Sequence, residues 1–107
     1  MKVNDVAITY VRFFDQEGGK KRPVLIVWDN GQEVRFYKLT SQFQSKSKKI
    51  QNNYFEIKQW REAGLNKPTW IDTTKTVTTL KTIANFKVIG KLTVADSYRL
   101  SSFLRRY

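Results

Sequence analysis

Three short stretches of the chain carry side chains that can bind or transform phosphate groups. The first, residues 17–23 (EGGKKRP), delivers Lys20, Lys21 and Arg22 to the start of an apolar run. A guanidinium is planar, stays charged and can bind two phosphate oxygens at once. Pro23 suits the first residue of a strand, so Arg22 would be held in a fixed position. Taken alone, this motif is better explained as an exposed basic loop.

The other two stretches carry hydroxyl, aromatic and carboxylate groups. Thr40 and Ser41 end a β-like run, where hydroxyls can donate to a phosphate or simply form a turn with the backbone. Further along, Trp70 and Asp72 share one face of a predicted strand, and Lys75 follows. An acid beside an exposed aromatic ring can hold an RNA base by hydrogen bonding and stacking. The structural alternative is a core tryptophan and a turn aspartate.

The composition limits the chemistry that these residues can perform. The chain has no histidine and no cysteine, so the commonest general base and the usual zinc ligands are missing. Disulfides are excluded, which fits a reducing cytoplasm. No phosphate-binding glycine loop and no paired-carboxylate metal cluster is present in the sequence, and we expect neither a metal site nor a cofactor. Proton transfer must then use carboxylates, lysine, tyrosine, arginine or water.

The charge balance indicates a polyanionic partner. Twenty basic and nine acidic residues give 107 residues a net charge of +11. Nucleic acid is the first candidate and an anionic membrane surface the second. No apolar run reaches the length needed to span a bilayer, and no long basic amphipathic helix is visible. We therefore expect a nucleic-acid partner, no membrane association and a cytoplasmic location.

The hydrophobic pattern predicts a single, mainly β domain over residues 1–107. Alternation and β-branched residues predict strands at 6–14, 22–28, 34–40, 54–57, 69–74, 77–80 and 86–92. Asn30-Gly31 between two of these runs is a strong hairpin signal. Residues 41–53 form a long basic loop, and 58–63 one or two helical turns that end at Gly64. Gly90 marks a bulge or a close approach.

A helix is predicted at the end of the chain, over 93–106. Thr93 can cap its N-terminus, with Asp96 three residues further on. Leu100, Phe103, Leu104 and Tyr107 would form its apolar face. Strands over 5–92 followed by one helix indicate a small, curled antiparallel sheet or barrel closed by a helix.

Five segments, in this order, resemble the PemK/MazF-type toxins of bacterial toxin–antitoxin systems. They are DVAITY at 5–10, KKRPVLIV at 20–27, LTS at 39–41, WREAGLNKP with WID at 60–72, and IGKL with Asp96 at 89–96. Each segment is weakly diagnostic, whereas their order and spacing together are specific. The resemblance implies a small SH3-like antiparallel barrel with a C-terminal helix. It also implies a homodimer that an antitoxin protein neutralises.

The activity implied by the resemblance is metal-independent cleavage of single-stranded mRNA, in which the 2′-OH attacks the adjacent phosphate. Arg22 would be the catalytic arginine, Thr40 would contact the phosphate, and Glu17 or Asp72 would take the proton. The RNA-binding residues expected around them are Lys20, Lys21, Ser41, Lys46, Lys48, Lys49, Trp70 and Lys75.

Three alternatives remain open from the sequence. The chain could be a basic β-barrel that binds nucleic acid without cutting it, because one fold hosts many functions. It could be a toxin homologue that has lost activity, since Trp70 stands where some members have arginine. Finally, it could be a protein-interaction module whose charge is directed at an acidic protein.

Overall fold

The computed structural model describes residues 1–10 and 21–106 of the chain. Residues 11–20, which include Glu17 and Lys20 and the second half of the first predicted strand, lie outside the described residues, as does Tyr107. The described elements are β1 (Asp5–Tyr10), β2 (Lys21–Asp29), β3 (Glu33–Thr40), α1 (Lys48–Gln51), β4 (Tyr54–Ile57), β5 (Thr69–Leu80), β6 (Asn85–Lys91) and α2 (Val94–Leu104).

The strands form one antiparallel sheet in the order β4-β5-β3-β2-β1-β6. The prediction of a mainly β chain with a C-terminal helix is therefore confirmed. A closed barrel is not formed by the described residues, because β4 and β6 are the two edges of the sheet and do not pair. At the β4 edge, α2 supplies a partner instead, since the Arg99 guanidinium donates to the carbonyl of Glu56.

The hairpin between β2 and β3 forms where Asn30-Gly31 predicts it. Gly31 has a φ of 95°, a conformation that glycine adopts without steric cost. The Asp29 carboxylate accepts from the Gly31 N–H, and the Asn30 side-chain oxygen accepts from the N–H groups of Gln32 and Glu33. These local hydrogen bonds fix the turn, and with it the pairing of β2 and β3.

Three predicted local structures differ from those observed. Residues 41–53 are not a continuous loop, because Ser47 caps the short helix α1 by accepting from the Ile50 N–H. Residues 58–64 are consecutive turns rather than a helix, although Gly64 does adopt a positive φ of 91°. The two β segments predicted at 69–74 and 77–80 are one strand, β5, in which residues 73–76 bulge opposite Tyr37.

Apolar side chains are buried on both faces of the central strands. On one face, Val6, Leu25 and Leu39 pack with Leu100 of α2. On the other face, Val24 and Phe36 pack beneath Ala84 and Phe86. Because alternate residues of β2 enter different clusters, the continuous run VLIV of that strand has no solvated face. Its two ends are therefore the part of β2 that can present polar side chains to a ligand.

Segment 58–68 is held against the sheet by two glycines and one buried carboxylate. A Cβ atom at Gly64 would collide with the carbonyl of Ile89, and one at Gly90 would collide with the carbonyl of Ala63. The predicted close approach at Gly90 is thus confirmed, and the adjacent ladder is bulged at Ile89. Asp96, which is 1% exposed, accepts from the Gln59 N–H and from Arg99.

Gly90→Ala is expected to destabilise the protein by about 3 kcal/mol, because its methyl group would overlap backbone atoms that cannot move independently. Gly31→Ala is the matched control: it introduces an unfavourable positive φ in open space and should cost about 1 kcal/mol. Urea unfolding of both variants measures the difference. Equal losses would contradict a steric role for Gly90.

Candidate functional site

A cavity of about 510 Å³ lies at the end of the sheet where β2 begins and β3 ends. Its floor is formed by strand residues, and segment 58–68 forms one wall. Its lining is Ile8, Lys21, Arg22, Pro23, Leu39, Thr40, Ser41, Gln42, Gly64, Leu65, Asn66, Lys67, Thr69 and Ile89. Four residues singled out from the sequence therefore line one concave site: Lys21, Arg22, Thr40 and Ser41.

Arg22 is the second residue of β2 and has an exposed side chain. It lies opposite Thr9 of β1, whose hydroxyl is buried and donates to the carbonyl of Asn85. Within residues 1–10 and 21–106, no hydrogen bond or ion pair engages the Arg22 guanidinium. Relative to these described residues, its fork of donors is therefore uncommitted.

Thr40 is the last residue of β3, the strand that pairs with β2, and Ser41 follows it; both line the cavity. The Thr40 hydroxyl oxygen accepts a hydrogen bond of 3.0 Å from the Gln42 N–H. Thr40 therefore forms the turn with the backbone that the sequence offered as its structural role. A hydroxyl that accepts still has its own proton to donate. Thr40 can therefore serve the turn and donate to a ligand oxygen at the same time.

Asp72 is not part of the cavity lining. It lies in the middle of β5, opposite Lys38 of β3 on one side and Tyr54 of β4 on the other. One of its carboxylate oxygens accepts from the Thr74 N–H at 3.0 Å. The turn hydrogen bond that the sequence offered as the structural role of Asp72 is therefore present. Asp72 is also distant from Arg22 in the sheet, because β3 lies between their strands, β5 and β2.

Tyr54 is a neighbour of Asp72 that the sequence does not reveal. Burial, and to a smaller extent the negative charge of Asp72, raise the pKa of the Tyr54 phenol above its usual value near 10. Both causes disfavour the phenolate. Tyr54 therefore keeps its proton through the physiological range, and its O–H remains a donor beside the carboxylate.

Trp70 belongs to an aromatic group on the β4–β5 part of the sheet. Its ring stacks on Phe43, with 4.8 Å between centroids and planes 10° apart, and Phe43 also lies 6.4 Å from Tyr54. Trp70 lies directly opposite Thr40 in the ladder. One face of the indole is therefore covered by Phe43. A nucleic-acid base can stack on that face only by replacing Phe43.

The remaining predicted lysines lie away from the cavity. Lys46, Lys48 and Lys49 are exposed on α1 and the residues before it, and Lys75 is exposed in the bulged part of β5. None of the four lines the cavity. By contrast, Lys67 and Asn66 do line it, although the sequence marked them only as a turn before Pro68. Both residues belong to the segment WREAGLNKP, but the sequence analysis gave them no role in binding.

The described part of the chain contains no group of three or more histidine, cysteine, aspartate or glutamate side chains placed to hold a metal ion. Among the same residues, no helix has both the length and the apolar character to cross a membrane.

Comparison of the chain with models of known protein families gave no match, and neither did comparison with curated proteins.

Asp72→Asn is expected to lower the pKa of Tyr54 only part of the way to its usual value, because burial is the larger cause and remains. Since the folded-state pKa is raised, the stability linked to Tyr54 is present below pH about 10 and falls as pH rises from there. Tyrosinate absorbance, read as the difference from Tyr54→Phe, measures the shift. Asp5→Asn, on β1, is the control, and an unchanged Tyr54 titration in Asp72→Asn would contradict the charge interaction.

Proposed function

We propose that this protein is a metal-independent endoribonuclease of the PemK/MazF toxin type, which cleaves single-stranded RNA and is neutralised by an antitoxin protein. The observation that carries the proposal is the meeting of Arg22 with Thr40 in one basic cavity. These residues were singled out from the sequence by their chemistry, the family resemblance gave them roles, and they are 18 positions apart in the chain. Their convergence at the ends of adjacent strands supports a shared task.

The proposed reaction is an internal phosphoryl transfer. The scissile phosphate occupies the cavity, with its oxygens bound by Arg22 and by the hydroxyl of Thr40. The RNA 2′-oxygen forms a bond to phosphorus while the bond from phosphorus to the 5′-oxygen breaks. The leaving 5′-oxygen takes a proton from water, so the products are a 2′,3′-cyclic phosphate and a free 5′-OH. Arg22 stabilises the negative charge that builds on the phosphate oxygens, and a fixed donor of this kind typically contributes about 3 kcal/mol.

The proton of the 2′-OH needs an acceptor, for which Glu17 and Asp72 are the candidates. Neighbouring strands lie about 5 Å apart, so Arg22 and Asp72, two strands apart, are separated by about 10 Å or more at their Cα atoms. One carboxylate oxygen of Asp72 also accepts a hydrogen bond from the Thr74 N–H. This geometry favours Glu17, in the segment that precedes Arg22, as the base, and leaves Asp72 for binding a nucleotide base.

RNA binding in this proposal combines charge with stacking. Lys21 and Lys67 line the cavity. The exposed Lys46 donates its backbone N–H to the carbonyl of Phe43, whose ring stacks on Trp70. Phosphate contacts supply affinity, while splayed bases stack on aromatic rings. The finer architecture belongs to the same proposal: an SH3-like curl of the six-stranded sheet, completed by a second copy of the chain in a homodimer.

The competing function is binding of single-stranded RNA without cleavage. It is favoured by one observation, the position of Asp72 outside the cavity and its engagement in a turn. On this alternative the same groove and lysines bind RNA, but no residue removes the 2′-OH proton. Cleavage assays separate the two functions directly.

Arg22→Ala is expected to slow RNA cleavage by about 100- to 1000-fold while the protein stays folded, because it removes the main donor to the phosphate. Cleavage by the unmodified protein should persist in excess EDTA. End analysis of a defined transcript, read for 5′-OH and cyclic phosphate termini, measures both. Arg35→Ala removes another exposed arginine, which stacks on Trp28 of β2, and is the control. A transcript left intact by the unmodified protein would leave the binding function as the survivor.

Replacing Lys46, Lys48 and Lys49 together by alanine is expected to weaken RNA binding and to reduce the salt dependence of the affinity. Each lost phosphate contact in single-stranded RNA lowers the slope of log affinity against log salt by about 0.7, so the expected change is about 2. The control replaces the exposed Lys2, Lys58 and Lys91, which removes the same charge elsewhere. If both triple variants lose affinity equally, net charge rather than the α1 region binds the RNA.

A further inference from the structure

Two polar side chains on the β4–β5 part of the sheet have hydrogen-bonding groups that the protein does not use. Asp72 and Tyr54 lie directly opposite each other in the ladder, so they share one face of the sheet, with Cβ atoms about 5 Å apart. One Asp72 oxygen accepts from the Thr74 N–H. Within residues 1–10 and 21–106, no hydrogen bond engages the other Asp72 oxygen or the Tyr54 hydroxyl, and the two side chains do not bond to each other.

Both unused groups are accessible to a ligand. In the part of the chain that the structure describes, the Thr79 hydroxyl is the one buried side-chain oxygen without a hydrogen-bond partner. The Tyr54 hydroxyl and the second Asp72 oxygen also lack partners, so these two atoms are not buried. The Tyr54 phenol keeps its proton, because partial burial and the Asp72 charge raise its pKa. The pair therefore presents an acceptor and a donor side by side.

Aromatic rings lie between this pair and the cavity. Trp70 precedes Asp72 by two residues in β5, so it lies on the same face, about 7 Å along the strand. Phe43 stacks on Trp70 and lies 6.4 Å from Tyr54. Trp70 is in turn opposite Thr40, which lines the cavity. Apolar neighbours lower the local dielectric and strengthen hydrogen bonds made beside them. A nucleotide joined to a phosphate in the cavity can therefore place its base at the pair.

The chemistry of the pair discriminates among the four RNA bases. A carboxylate accepts hydrogen bonds and donates none, whereas a phenol can donate to a carbonyl. The Watson–Crick edge of guanine has two adjacent N–H donors, on N1 and N2, beside the O6 carbonyl. Adenine and cytosine place their N–H donor next to a ring-nitrogen lone pair, and uracil places its donor between two carbonyls. Guanine alone meets a carboxylate with two donors and no opposing lone pair, so the other bases are disfavoured.

We propose that Asp72 and Tyr54 form a guanine-binding subsite for single-stranded RNA. The Asp72 carboxylate accepts from the N1 and N2 donors, and the Tyr54 hydroxyl donates to O6. Both Asp72 oxygens can take part, because the oxygen that accepts from Thr74 has a second lone pair. The subsite rests on the proposed RNA function and deepens it, since it names the base that the protein prefers.

The test measures binding rather than cleavage, with 2′-O-methyl oligouridines that carry one central guanosine, inosine or adenosine. These probes lack the attacking hydroxyl, and inosine is guanosine without its N2 amino group. The unmodified protein should bind the guanosine probe about tenfold more tightly than either of the others. Asp72→Asn should reduce this preference to less than about twofold, because an amide turns a donor toward the donors of guanine.

Two further variants separate the two contacts and control for charge. Tyr54→Phe should weaken binding of the guanosine and inosine probes equally, by about fivefold, because both bases keep the O6 carbonyl. Asp5→Asn is the matched control for Asp72→Asn. The Asp5 carboxylate likewise accepts from one backbone N–H, that of Lys2, and the substitution removes the same charge from β1. It should leave the preference for guanosine unchanged.

Equal binding of the three probes by the unmodified protein, or tighter binding of the adenosine probe, would overturn the subsite without any variant. An unchanged preference in Asp72→Asn, with folding verified by urea unfolding, would overturn it as well. If ordinary RNA stays intact while the guanosine preference depends on Asp72, the nuclease function is refuted and the subsite stands. Cleavage of ordinary RNA by a protein that binds the three probes equally has the opposite consequence.

Discussion

The candidate site depends on the direct contact between two stretches of backbone. Gly64 and Gly90 allow segment 58–68 to lie against β6 more closely than any side chain would permit. The buried Asp96 carboxylate adds a second tie, because it joins the Gln59 N–H to the start of α2. The Asp96 carboxylate is 1% exposed and is paired with Arg99, so removal of Arg99 would leave a buried charge without its counter-ion, which is costly. Without these contacts the cavity would lose the wall that contains Leu65 and Lys67.

The sheet, in turn, determines which side chains can serve the cavity. The central strand β2 buries apolar residues on both faces, so its polar groups are confined to its ends. Arg22 and Thr40 occupy such ends on neighbouring strands, whereas Asp72 lies within β5. This placement separates the guanidinium and hydroxyl at the cavity from the carboxylate–phenol pair of Asp72 and Tyr54. Under the proposed function, the two groups contact different parts of one RNA strand.

Local chemistry in the sequence predicted much of the fold. Turn residues at Asn30-Gly31, the Thr93 cap and the tight approach at Gly90 each have a local physical cause, and each is observed. The α1 helix was missed because its four residues are stabilised by a cap rather than by an apolar face. The continuity of β5 was missed because Thr-rich residues 73–76 bulge away from β3.

The candidate site was predicted less completely, and for a different reason. Arg22, Thr40 and Ser41 could be found because a resemblance singled them out, and the structure brings them together. Tyr54 and Lys67 acquire their surroundings only through strand pairing and chain packing. Nothing near them in the chain indicates which residues they will face. The net charge of the whole protein predicts a polyanionic partner, but it does not predict which side chains line the cavity.

The stack of Phe43 on Trp70 links the aromatic surface to the basic one. The carbonyl of Phe43 accepts hydrogen bonds from the Lys46 N–H and from the Gln51 side chain, so this ring and the lysines around α1 are parts of a single tied segment. These hydrogen bonds hold the backbone that carries the Phe43 ring to the segment that carries the lysines. Under the proposed function, a change in one part of this segment is therefore felt by the other, and substitutions of Phe43 and of these lysines are expected to be non-additive.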